Sequence, residues 1–250
     1  MSYELGLVSI SFRKNSPEEI LQAMQAAGLT CIEWGSDVHA PQNDEAQLRK
    51  VAALQKRYGI TCCAYGTYFH LGETPMEELP AYIAAAKILG TDILRLWCGT
   101  KNSEEYTPEE EEQLYKLCRE AAKVAEEAGV VLCMECHMNT YTNRKEAAMG
   151  LMLWVNSEAF RMYWQPHQYR TVEENVAYAR LISPYAEHLH VFNWKEKEKF
   201  PLAAGKEFWQ KYLACFPKDK HLLLEFMPDG KLESLYTEAA ALRQIVGEAL

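Results

Sequence analysis

The sequence lacks any apolar run approaching the ~18 residues that a membrane-spanning helix needs, so no membrane role is expected. It is short of positive charge. Its 26 Lys and Arg stand against 35 Asp and Glu, for a net charge of −9. That balance leaves no basic face for the phosphates of a nucleic acid. No Gly/Ser/Pro-rich stretch and no shift in composition marks a linker, so residues 1–250 are expected to form a single domain with one large core. The first residues, Met1-Ser2-Tyr3-Glu4-Leu5, lack the basic and apolar regions of a signal peptide, which points to the cytoplasm. A second C-x-x-C pair is also missing. Cys133 and Cys136 have that spacing, but a strand would turn them to opposite faces, so a structural zinc at this pair is not expected. Most of the eight cysteines sit in apolar runs and read as reduced core residues.

What is present is a repeated βα unit. Apolar runs at Leu5–Ile10, Thr30–Trp34, Ile60–Tyr65, Ile93–Trp97, Val130–Glu135, Phe160–Trp164, Leu189–Phe192 and Leu222–Phe226 read as strands. Helical periodicity lies between most of them, as in Pro108–Ala128 and Ser234–Leu250. Ser16-Pro17-Glu18-Glu19, Thr74-Pro75-Met76-Glu77 and Thr107-Pro108-Glu109-Glu110 each offer an N-cap, a proline at the first helical position and an acid at the third. Thr171-Val172-Glu173-Glu174 is the same box without proline. Gly28, Gly59, Gly90 and Gly129 stand where a helix would end in a left-handed residue, and the first three are 31 residues apart. Eight such units in about 250 residues predict a (β/α)8 barrel, the TIM barrel. A doubly wound open sheet is the alternative, but Ile10-Ser11-Phe12-Arg13-Lys14 follows the first strand where that fold usually carries a glycine-rich loop.

In a (β/α)8 barrel the chemistry sits at the C-terminal strand ends. Val130-Val131-Leu132-Cys133-Met134-Glu135-Cys136-His137 ends a buried strand on a carboxylate, which such strands seldom tolerate without a use for it. The later strands end on Gln165 and His167, then His190 and Asn193, then Glu225. The earlier ends are less polar: Glu33 and Trp34 with His39 beyond, Tyr65 with His70 beyond, and Trp97. Trp34, Tyr65, Trp97, Trp164 and Trp194 could form a stacking wall for a sugar ring, although strand-end aromatics are more often core. His39 and His70 read as loop residues on the catalytic side, His188 as structural and His221 as a surface residue before the last strand. Lys195–Lys199 reads as a mobile loop over the mouth.

At these residues the chain resembles the sugar phosphate isomerase/epimerase group, the xylose-isomerase-like barrels. Thr30-Cys31-Ile32-Glu33-Trp34-Gly35 with Asp37-Val38-His39 is similar to the group's second strand and loop. Glu135-Cys136-His137 resembles its E-x-H, His188-Leu189-His190-Val191-Phe192-Asn193 its H-x-H-x-K-D, Pro201–Gly205 its PLGEG turn, and Leu224-Glu225 its last-strand glutamate. The resemblance implies one divalent metal held by Glu135, Gln165, His190 and Glu225, with Gln165 standing where the group has an aspartate. Gln168 stands where a histidine is expected, with His167 one position earlier, and Glu196 where an arginine is expected, with Lys195 nearby.

The resemblance also implies carbohydrate chemistry: a metal-dependent isomerase or epimerase that moves a proton next to a carbonyl. Glu135 and Glu225 would be the acid–base pair, and the metal would stabilise the enediolate oxygens. His137, His167, Trp34, His70 and Lys195 are the candidate substrate-binding residues. An oxygen-rich set with one imidazole suits Mn2+ or Mg2+, then Co2+ or Zn2+. Two further readings stand beside it: a lyase that dehydrates a keto-inositol-like substrate, and a sugar-binding barrel without a metal. The expected partners are a small carbohydrate and a second copy of the chain in a homodimer.

Overall fold

A computed structural model describes residues 3–247. Eight parallel strands close into a barrel: β1 (Glu4–Val8), β2 (Cys31–Gly35), β3 (Thr61–Leu71), β4 (Ile93–Cys98), β5 (Val131–Glu135), β6 (Phe160–Trp164), β7 (Ala186–Val191) and β10 (His221–Leu224). The first and last barrel strands pair in register, Glu4 with His221 and Leu7 with Leu224, and this closes the ring. Eight helices surround it: α1 (Pro17–Ala26), α2 (Glu45–Tyr58), α3 (Leu79–Leu89), α4 (Pro108–Ala128), α5 (Lys145–Val155), α6 (Val172–Ile182), α7 (Lys206–Leu213) and α8 (Leu235–Val246). The fold is therefore a single (β/α)8 barrel. No helix among the described residues is long and apolar enough to cross a membrane.

Local chemistry explains most boundaries. Ser16, Thr107 and Thr171 each accept from the backbone N–H three residues on, and Glu19, Glu110 and Glu174 reach back, completing three capping boxes. The box expected at Thr74 does not form. The Thr74 hydroxyl instead accepts from His70 N at 3.0 Å, closing a turn at the end of the long β3, and a 3-10 turn at Met76–Glu78 leads into α3 without a side-chain cap. Gly59, Gly90 and Gly129 take the left-handed conformation that ends α2, α3 and α4. The Lys195–Lys199 segment is folded, not a loop: β8 (Trp194–Lys195) and β9 (Glu198–Lys199) pair as an antiparallel hairpin.

Most of the apolar core lies between barrel and helices, and includes Cys62, Cys98, Cys118 and Cys136. A smaller cluster fills the lumen with Val8, Cys31, Cys63, Cys133, Tyr163 and Leu223. All eight cysteines are free thiols, and Cys133 and Cys136 indeed fall on opposite sides of the barrel wall. Small lumen residues leave space above them, where the strands end in charged side chains.

Candidate active site

His190, buried on β7, is the hub of the mouth. Its Nε2 lies 3.2 Å from Glu33 Oε2 on β2. Its Nδ1 lies 3.2 Å from Glu135 Oε1 at the end of β5, 3.3 Å from Gln165 Oε1 just beyond β6 and 3.6 Å from Glu225 Oε2 just beyond β10. Arg95 on β4 ties the same carboxylates from the other side. Its Nε stands 3.4 Å from Glu33 Oε1, its Nη1 stands 3.4 Å from Glu135 Oε2, and Nη1 also donates to Thr67 O at 3.1 Å. Trp97 Nε1 donates to Glu135 Oε2 at 2.5 Å, and the Arg95 guanidinium sits 4.6 Å from the Trp97 ring centre. Gly66 on β3 leaves room for this pair. A Cβ there would collide with Glu33 Oε1 and come within 3.0 Å of Arg95 Nη2.

The charges divide the two candidate acid–base groups. Burial pushes the Glu135 carboxyl up, but Arg95 and His190 outweigh it and hold it well below the usual carboxylate range. Among the described residues Glu225 makes no direct ion pair with a guanidinium, and Arg95 attracts it only weakly from farther off. Burial, with Glu135 and Glu33 nearby, raises it to about 7 despite the attraction of His190. Burial opposes charge on His190, yet the carboxylates of Glu225, Glu33 and Glu135 raise it to about 10. Two carboxylates in one site with opposite protonation preferences are the usual arrangement of an acid and a base.

Glu135, Gln165 and Glu225 face a cavity of about 250 Å³, walled by Arg13, Tyr68, Trp97, His137, Gln168 and Phe226. Arg13 is fixed by Asp37 at 2.5 Å and by the Tyr68 hydroxyl. Phe226, directly after Glu225, has φ +52°, a costly conformation for a bulky residue. It is held by a 2.9 Å hydrogen bond from its N–H to Ser11 Oγ, and this turn puts Glu225 at the cavity wall.

The structure thus brings Glu135, Gln165, His190, Glu225 and His137 together, and leaves four other sequence candidates outside. Trp34 is fully buried on the helix side, its Nε1 donating to Gln55 Oε1 at 2.9 Å, because alternation along β2 turns Glu33 inward and Trp34 outward. His70 packs behind Trp97 and is 3.2 Å from Gly99 O. His167 and Lys195 line a second cavity, of about 640 Å³, which shares Gln168, Phe192 and Trp194 with the first. Of the other aromatics, Tyr65 and Trp164 are core and Trp97 and Trp194 reach the mouth. His39 is not a solvated loop residue. It is buried between Ser9 Oγ and Asn15 O, at 3.1 Å each. His221 is the first residue of β10, half-buried against His188. Sequence reasoning passed over Arg95, and named Glu33 only as a strand end without a role in the site. Each is a charge inside an apolar strand, the same signal that singled out Glu135.

The donor set fits a divalent ion. With a proton on Nε2 directed at Glu33, Nδ1 presents a lone pair to three acceptor oxygens, an arrangement that only a proton or a cation relieves. The three oxygens stand 3.2, 3.3 and 3.6 Å from Nδ1, near the ~3 Å that separates neighbouring donors on one ion, while Glu135, His190 and Glu225 do not bring one atom each within 4.8 Å of one another, so the two carboxylates would have to swing together to share it. Three buried carboxylates against one guanidinium also leave two negative charges for a divalent ion to match.

The sequence from residue 21 to residue 228 matches the family model described as the xylose isomerase-like TIM barrel. No curated protein matches the sequence. Among solved structures, the probable 3-DHS dehydratase AsbF of Bacillus anthracis superposes with a TM-score of 0.80 at 17% identity, over 97% of this chain and 98% of that one. The D-psicose 3-epimerase of Clostridium cellulolyticum H10, solved with D-tagatose, gives a TM-score of 0.69 at 14% identity, over 98% and 100%. A xylose isomerase-like TIM barrel protein of Mycobacterium smegmatis, solved in complex with magnesium, gives 0.69 at 12% identity, over 98% and 96%. At such identities these likenesses show the fold alone, whereas the family model covers most of the length, and the chain belongs to the xylose isomerase-like TIM barrel family.

Proposed function

We propose that the chain is a metal-dependent isomerase or epimerase that moves a proton on the carbon next to the carbonyl of a small sugar or keto-polyol. The observation that carries this reading is the convergence of Glu135 and Glu225 on one imidazole nitrogen, His190 Nδ1, beneath a cavity of about 250 Å³. That volume lies below the ~300–1,000 Å³ of drug-sized sites and suits a monosaccharide. Glu135, held ionised and oriented by Arg95 and Trp97, takes the proton from carbon. Glu225 returns one from its own wall. His137 shares its Nδ1 proton with Met138 O, so its Nε2 accepts from a substrate hydroxyl. Trp97 and Phe226 cover the reacting centre and exclude water.

Glu135, Gln165, His190 and Glu225 would hold the metal. When bound, it supplies Lewis-acid stabilisation of the carbonyl and neighbouring hydroxyl oxygens. The name of the D-psicose 3-epimerase fits this reading, and that of the probable dehydratase fits a second one. In that reaction Glu135 would take the proton from carbon and Glu225 would give one to a departing β-hydroxyl, with net loss of water.

The test is incubation with Mn2+ and a panel of ketoses and keto-polyols in D2O, read by NMR and mass spectrometry. Isomerisation or epimerisation leaves deuterium on the carbon next to the carbonyl, raising the mass by about one with no loss of water, whereas dehydration lowers the mass by one water. Glu135→Gln should abolish either reaction and leave the fold intact. Retained turnover in that variant would remove Glu135 from the chemistry.

A further inference from the structure

At the opposite end of the barrel, Glu4 of β1, Cys31 of β2 and His221 of β10 bring a carboxylate oxygen, a thiol sulfur and an imidazole nitrogen within 4.8 Å of one another. They are the one group of three such side chains this close among the described residues. We propose that they form a structural site for a thiophilic divalent cation of the Zn2+ type, clipping the first and last strands of the barrel together.

Four features support this. The ligand chemistry is mixed: one thiolate, one imidazole and one carboxylate are the donors that favour zinc over the oxygen-seeking ions expected at the mouth. The thiol's position is built in. Gly6, opposite Cys31 in the register, has no side chain, and a Cβ there would collide with Cys31 O and stand 2.5 Å from Cys31 Sγ. An adjacent nitrogen has no partner. His188, 5% exposed, sits with its ring centre 4.3 Å from that of His221; its Nε2 meets Cys63 O at 3.1 Å, while its Nδ1 is buried and unbonded. A native structure seldom leaves such an atom unsatisfied, although His188 itself lies outside the group that meets within 4.8 Å. Lastly, the location gives the clip a purpose. Glu4 and His221 pair across the seam where the barrel closes, between strands more than 200 residues apart in sequence. Closing so long a loop costs the most entropy, so a cross-link there gains the most. A plain Glu4–His221 ion pair, at 3.3 Å, would need neither the thiol nor the glycine that admits it.

Binding exchanges the thiol proton for the metal. The S–H bond breaks, an S–metal bond forms, and the proton leaves to solvent. Along β10 this site lies four residues before Glu225, about 13 Å from the mouth at ~3.3 Å per residue. The two sites therefore load independently.

Cobalt separates them, because the mouth set contains no sulfur. In chelator-stripped full-length protein titrated with Co2+, we expect a thiolate-to-cobalt charge-transfer band in the near ultraviolet. It should saturate at one equivalent, persist in Glu225→Ala and vanish in Cys31→Ser. His221→Ala, at a half-exposed position, should weaken it at least tenfold and keeps the test open if Cys31→Ser does not fold. In the Glu225→Ala background, Zn2+ at a hundredfold excess over Kd should raise Tm by about 5–10 °C, and most of that shift should be lost in His221→Ala. Absence of the thiolate band in the unsubstituted protein, or its survival in both Cys31→Ser and His221→Ala, would overturn the proposal.

Discussion

Metal binding at the mouth should be strongly pH-dependent, and the structure sets the size of the effect. A ligating imidazole must be unprotonated at Nδ1, and a ligating carboxyl must be ionised. With His190 raised to about 10, the competent fraction is about 0.01 at pH 8 and about 0.0001 at pH 6. With Glu225 raised to about 7, the ionised fraction falls from about 0.9 to about 0.09 over the same range. Affinity for Mn2+ should therefore drop about 1,000-fold from pH 8 to pH 6, or about 4 kcal/mol. At pH 7, loading should release about 1.5 protons. An unperturbed imidazole and carboxylate would lose only about 4-fold between these pH values and release about 0.2 proton at pH 7. Isothermal titration calorimetry in buffers of different ionisation enthalpy reads both quantities. A 4-fold loss with about 0.2 proton released would refute the claim that the carboxylates charge His190 in the metal-free protein.

Three substitutions follow from the same geometry. Arg95→Gln strands Glu33 and Glu135 without their buried cation, and should cost about 3–5 kcal/mol, a Tm lower by about 6–20 °C in thermal denaturation; a change under 2 °C would mean the network is not load-sharing. Glu33→Gln keeps the size but removes the charge behind His190; His190 should titrate lower by NMR, and Mn2+ binding to the protein with His190 unprotonated should weaken about 10–100-fold. Gln165→Glu adds an isosteric anion 3.3 Å from Nδ1 and should tighten Mn2+ about tenfold; unchanged affinity would show that residue 165 is not a ligand.

The barrel was legible because its signals are local and repeated. Capping boxes at Ser16, Thr107 and Thr171 and left-handed glycines at Gly59, Gly90 and Gly129 mark most units without any knowledge of contacts. The Thr74 box failed because the Thr74 hydroxyl turns back to accept from His70 N, and the chain enters α3 through a 3-10 turn at Met76–Glu78. At the mouth, strand ends exposed Glu135, Gln165, His190 and Glu225, since a polar residue at the close of an apolar run stands out. Glu33 and Arg95 sit inside such runs, and what justifies each is a partner on another strand, 62 residues away for this pair. Trp34 and His70 were misplaced for a related reason. Position along a strand end says little about facing, which a one-residue step reverses.

Glu33 also changes how Gln165 is understood. A neutral amide in place of an aspartate leaves two carboxylates directly around the ion, so the sequence alone argues for weak binding. The structure supplies a third anion through the imidazole: Glu33 at Nε2 makes Nδ1 a stronger donor without entering the ligand set. Arg95 limits the effect, because it shares Glu33 and fixes Glu135. Moving one negative charge from the ligand shell to the far side of His190 keeps the overall charge near balance for a divalent ion, while leaving the amide of Gln165 free to donate to Cys136 O at 3.3 Å. A site built this way would bind a metal only after His190 has lost its proton. The pH dependence worked out above and the Glu33→Gln substitution therefore probe one mechanism from two directions. If Glu33 supplies the missing charge, Glu33→Gln should flatten the affinity-versus-pH curve and weaken binding to the same protein once His190 is unprotonated. A loss of affinity with the steep curve retained would mean that Glu33 serves the fold and not the ion.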